Sequence, residues 1–157
     1  MKGIKDITFS KRTNGFVLME IMLVMSLIGL LAAMGIAVYR GQLLKGYDAR
    51  RKGDLDRLKK AVLEYEIDND CYPTSIPLCD EYPHSIQDYI DKIPCDPETQ
   101  VSYLYESEGG SCPGWFRIYA LLKNLSDPII NELGCTSGCG PGGTNNFYVS
   151  SPNAPNP

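Results

Sequence analysis

Six cysteines, one histidine and one carboxylate set inside an apolar stretch are the residues of this chain best suited to chemistry. The cysteines are Cys71, Cys79, Cys95, Cys112, Cys135 and Cys139. An even number in a small domain favours disulfides, and with them an oxidising, extracytoplasmic compartment. A structural zinc would want close pairs such as C-x-x-C, and the nearest spacing here is Cys135-x-x-x-Cys139. Pro73 and Pro77 bend the segment between Cys71 and Cys79, which makes that pair the expected first bridge and leaves the other four unassigned.

Acid-base chemistry has less to work with. His84 sits in a proline-flanked turn with no identifiable partner, so a surface or capping role is expected for it. No phosphate loop, H-E-x-x-H or G-x-S-x-G pattern occurs. Asp96, Glu98, Asp127 and Glu132 fall in loops where oxygen ligands could gather around calcium, but without EF-hand spacing. Solvated acids, no resident cofactor and no enzymatic activity are the expectation. Tyr103, Tyr105, Tyr119 and Tyr148 lie on expected strands and read as packing residues.

The remaining candidate is Glu20. It is the only charge among residues 16–39, a run long enough as a helix, roughly 36 Å, to cross a hydrocarbon core of about 30 Å. A charge there is costly, about 2.5 to 3.5 kcal/mol at the bilayer centre and less near the interface. Either Glu20 lies shallow and reaches headgroup water, or a positive group from another copy of the chain offsets it.

The elements that must position these residues follow from the pattern around the run. The chain has 157 residues, 43% hydrophobic and 22% charged, with a net charge of -4, a balance that argues against a disordered chain and against nucleic acid as a main partner. Residues 1–15 carry Lys2, Lys5, Lys11 and Arg12 against Asp6 and read as a targeting leader. Five basic residues follow the run, so charge counting does not orient it; the cysteines place the C-terminal head outside.

Beyond the run, Leu44, Tyr47, Arg51, Leu55, Leu58, Val62 and Tyr65 recur at helical steps, so one helix is expected to continue to about Asp68, with charged residues such as Asp54 and Arg57 off its apolar stripe. Gly29, Gly35, Gly41, Gly46 and Gly53 punctuate it, through local melting or through close helix packing. A short helix is expected over 85–93, strands over 101–106, 115–123 and 147–150, one or two helical turns over 128–133, and a loose tail at 152–157.

Gly15-Phe16-Val17-Leu18-Met19-Glu20, after a basic leader and before an apolar run, resembles the N-terminal signal of type IV pilins and type II secretion pseudopilins. The segments 68–73 and 93–97, followed by Tyr103-Leu104-Tyr105, extend the resemblance into the head, whereas the proline that many members carry in the hydrophobic helix is missing. The resemblance implies cleavage between Gly15 and Phe16 by a prepilin peptidase, methylation of the Phe16 amine, and a role for Glu20 in assembly.

The expected fold is α+β: a leader over 1–15, a transmembrane and filament-core helix over 16–39, its amphipathic continuation over 40–70, and a disulfide-bonded head over 71–157 on a small antiparallel sheet. The expected function is structural: a pilus-like filament subunit that leaves the bilayer by stacking against copies of itself on a membrane assembly platform. A secretion pseudopilin is the alternative, with the cysteine density favouring a pilus subunit. Two other classes stay open: a secreted binding domain released by a cut near Leu31-Ala32-Ala33, and an uncut membrane anchor.

Overall fold

A computed structural model describes residues 14–156, so the leader, apart from its last two positions, lies outside the described residues. The chain divides into two units, Met1–Gly41 and Gln42–Pro157. One helix, α1, covers Asn14–Asn69. It contains no proline, and its first half is built of Leu, Met, Ala and other residues that tolerate a helix well. It stays helical through Gly29, Gly35, Gly41, Gly46 and Gly53, and an added Cβ at any of these would meet no atom within 4 Å. Among the described residues nothing therefore uses their bare backbone. Asp70 ends α1 by turning left-handed, with φ 58 and its N–H bonded to the Glu66 carbonyl at 2.8 Å.

Within Gln42–Pro157, α1 buries Leu55, Leu58, Ala61 and Val62. The expected stripe holds in its centre and weakens at its ends, where Leu44 is exposed and Tyr47 and Tyr65 are half-buried. Asp54 departs from expectation: it is only 6% exposed and accepts the Tyr103 hydroxyl at 3.1 Å. The buried face is wide enough to take in both Asp54 and its neighbour Leu55, and the tyrosine supplies the hydrogen bond that burial demands.

Three strands form the antiparallel sheet, in the order β1 (Leu104–Ser107), β2 (Phe116–Ala120), β3 (Phe147–Ser150). Leu104 faces Tyr119 in the first pairing, and Ala120 faces Phe147 in the second. The third strand matches its expected range, while the first two are displaced for identifiable reasons. Val101 is claimed by a turn, its carbonyl accepting the Asp96 N–H at 2.9 Å, and Ser102 bridges Cys95. Past Ala120, side chains take the backbone groups: Asn146 bonds both the N–H and the C=O of Leu122, at 2.7 and 2.9 Å, and Asp48 accepts from Lys123 and Asn124.

Other expectations need correction. Residues 85–93 form turns with one helical hydrogen bond, Ile90 N–H to Ile86 carbonyl at 3.2 Å, because the segment between Pro83 and Pro94 is held by burying Ile86 and Ile93 rather than by helix. The tail is fastened: Asn153 donates to the Gly114 carbonyl at 2.6 Å, and the buried Arg117 donates to the Pro155 carbonyl while its guanidinium stacks 4.8 Å from the Trp115 ring centre. The second helix, α2 (Pro128–Glu132), stands near its expected place, capped by Asp127, which accepts the Ile129 N–H at 3.2 Å.

All six cysteines are paired, as Cys71–Cys112, Cys79–Cys95 and Cys135–Cys139. The expected Cys71–Cys79 bridge is absent because the segment between them runs along the sheet instead of doubling back. Tyr72 donates to the Pro113 carbonyl, Tyr105 to that of Pro73 and Ser107 to that of Thr74. This course leaves Cys71 beside Cys112 and carries Cys79 to Cys95. The loop after β2 folds back on that strand at Gly140, where φ is 77 and a Cβ would lie 2.9 Å from the Tyr119 ring.

Candidate assembly site

Two places in the chain invite a functional reading, one in each unit. In Met1–Gly41 the large apolar side chains from Val17 to Ile36 are exposed, Leu18, Met22 and Met25 among them. The segment is apolar and long enough to cross a membrane, and none of its most apolar window is buried inside the chain. Fully burying one such side chain is worth about 1.5 to 3 kcal/mol. Lipid or other protein must therefore cover this surface. Glu20 lies within it, exposed and without an ion-pair partner among the described residues. Gly15 and Phe16 fall in the first turn of α1, their side chains outside the description. Phe16 precedes Glu20 by four residues, so their backbones share a helix face about 6 Å apart along the axis.

In Gln42–Pro157 the notable feature is a buried cation. Arg51 is 1% exposed at the centre of the apolar stripe and forms four charge-assisted bonds. It donates to Asp96 at 2.6 and 3.0 Å, to Glu98 at 2.8 Å and to Asp48 at 2.9 Å. Asp48 also accepts the backbone N–H groups of Lys123 and Asn124 at 2.9 and 2.7 Å. Lys52 adds a bond to Asp127 at 2.6 Å. Together these tie the helix to the 95–99 turn, to the chain leaving β2, and to the cap of α2. Two of these positions could have been suspected from sequence: an arginine within an apolar stripe, and an aspartate three residues before it.

Electrostatics follow from this arrangement. The hydrogen bond to Asp96 leads in raising the Arg51 pKa above its ordinary value, against the cost of burial. Burial pushes Asp96 up, yet Arg51 and the N–H groups of Thr99 and Glu98 together hold it well below the usual carboxylate range. Arg51 likewise leads in lowering Glu98, and Lys52 in lowering Asp127.

The four carboxylates considered for calcium are divided among different partners. Asp96 and Glu98 face Arg51, Asp127 faces Lys52 and caps α2, and Glu132 is exposed. Among the described residues no group of three Asp, Glu, His or Cys side chains is placed to hold a metal. His84, expected at the surface, is 7% exposed, with Nε2 3.4 Å from the Asp91 carbonyl. It is buried because Ile86 and Ile93 draw its turn into the core. The four tyrosines pack as expected, Tyr119 against Tyr148 at 5.9 Å between ring centres and Tyr105 against Phe116 at 6.0 Å.

Comparison with known proteins points one way. The chain is 31% identical over 98 residues to type II secretion system core protein G of Aeromonas hydrophila, covering 55% of this chain and 68% of that protein. It is 30% identical over 99 residues to the Escherichia coli K12 protein of the same name, covering 55% and 67%. The Klebsiella pneumoniae protein of that name is 31% identical over 98 residues, with 55% and 70% covered. No protein-family model matches the chain, and no solved structure matches it significantly.

Proposed function

The chain belongs to the type II secretion system core protein G family, within the type IV pilin and pseudopilin superfamily, and on that premise we propose that it is cut between Gly15 and Phe16, methylated at Phe16, and polymerised through α1. The role is that of a structural filament subunit. A pilus subunit is the first expectation from sequence and a secretion pseudopilin the alternative, and the relatives carry the secretion system's name.

One observation carries the reading: among the described residues, none of the most apolar window of α1 is buried. Lipid covers it before assembly, and the same half of neighbouring copies covers it afterwards, with the glycines allowing close approach. Glu20 then meets the Phe16 amine of a neighbour. A prepilin peptidase and a membrane assembly platform are the partners this route needs. Three disulfides favour a head on the oxidising side of the cytoplasmic membrane. Cut after Gly15, the chain keeps 11 basic and 18 acidic side chains, a balance of -7, so the filament surface is acidic.

Gly15→Val tests the processing step. A side chain there obstructs the close approach of the peptidase, and unprocessed precursor accumulates in the membrane fraction. Normal amounts of mature subunit from this variant would refute the assigned signal.

A further inference from the structure

Charge within Gln42–Pro157 is sharply divided. Residues 42–60 carry seven Lys or Arg against three Asp or Glu, whereas residues 61–157 carry three against fourteen, which gives +4 beside -11. Several of the basic groups are spent inside the chain: Arg51 on Asp48, Asp96 and Glu98, Lys52 on Asp127, Lys60 on Asp56.

Arg50 and Arg57 are held loosely or not at all. Arg57 has no ion pair among the described residues, and Arg50 reaches only Asp54, at 3.9 Å, whose carboxylate already accepts the Tyr103 hydroxyl. Seven residues apart, the two arginines share one face of α1 about 10 Å apart along its axis. They line one wall of an open cleft of about 230 Å³, and Lys92, Pro94 and Gln100 belong to the other. Two acids also line the cleft, Asp54, which meets Tyr103 and Arg50, and Asp80, which meets Lys92.

We propose that this cleft docks carboxylate side chains from the acidic 61–157 surface of a neighbouring copy. The inference rests on the filament reading above and adds to it a second, electrostatic contact between heads. Guanidinium forks pair well with carboxylates, and of the fourteen acids on residues 61–157 nine form no ion pair among the described residues. A contact between unlike patches is heterologous and can repeat from copy to copy along a filament. It also offsets the repulsion between heads that are acidic as a whole.

The full chain, assembled into filaments, gives the test. The exposed pair Arg50→Gln and Arg57→Gln, introduced together, leaves processing and head melting close to wild type and lowers filament yield about tenfold at physiological salt. Arg57→Lys keeps the charge and the yield, and places an amine in the cleft. Carbodiimide treatment of filaments mixed from light and heavy-isotope Arg57→Lys chains then gives mixed-mass links between residue 57 and a carboxylate in 61–157. Links confined to single chains, or wild-type yield from the double variant, would overturn the inference while leaving the filament reading standing. So would loss of binding to vesicles of anionic phospholipid with filament yield unchanged, which would assign the cleft to lipid. A wild-type chain that forms no filament would overturn both.

Discussion

Glu20→Gln removes nearly all filament while leaving the mature subunit and its head intact. An α-amine has an ordinary pKa of about 7.7 to 8.0 and is cationic near neutrality. After cleavage the Phe16 amine begins α1 four residues before Glu20, so in a stack of parallel helices it is the positive group placed near the same depth. Stranding one partner of a buried ion pair costs about 3 to 5 kcal/mol. Glutamine keeps the shape and loses the charge, so filament yield should fall by roughly a hundredfold or more, since about 1.4 kcal/mol is a factor of ten. Every residue of the hydrophobic core lies in Gln42–Pro157, so head melting does not change. The sheared filament fraction, weighed against total processed subunit, is the readout. Wild-type yield would show Glu20 to be a polar residue tolerated near the headgroups.

Arg51→Met has the opposite signature. Methionine replaces much of the packing but leaves the buried Asp48 and the half-buried Asp96 without their cation. The head loses about 3 to 5 kcal/mol, which for a domain of this size lowers Tm by roughly 10 to 25 °C. The acid limb of the stability profile moves as well. In the folded head Asp96 stays ionised to a pH well below its ordinary 3.8, and Glu98 is shifted in the same direction from 4.5. Their contribution is complete above those ordinary values and is lost as pH falls through the lowered folded pKa. Removing Arg51 raises the folded pKa values, so acid unfolding begins at higher pH. Thermal melts of wild type and variant between neutral pH and pH 3 check both effects; equal melting temperatures across that range would contradict the role assigned to Arg51.

What could be read from sequence was what depends on near neighbours. An unbroken α1 follows from a proline-free stretch that ends at the left-handed Asp70, and the α2 cap from Ser126-Asp127-Pro128. Contacts between distant residues were not legible. The Cys71–Cys112 pairing depends on how residues 72–74 lie along β1, which spacing alone does not state. The end of β2 is set by Asp48 and Asn146, one on α1 and one just before β3, competing for its backbone groups. The tail is held by Arg117, whose position on an expected strand gives no hint of its partner at Pro155. In the candidate site, Glu20 stood out because a charge in an apolar run has no local explanation. Arg51 passed as part of a stripe because two of its three carboxylate partners, Asp96 and Glu98, lie 45 and 47 residues away.

Processing as a prepilin and polymerisation both show in the intact mass of the subunit recovered from filaments. The expected species lacks residues 1–15, begins at Phe16 and carries one added methyl group. A chain shortened to about residue 33, as an ordinary secretory cut would leave it, or one that retains its leader, would contradict it.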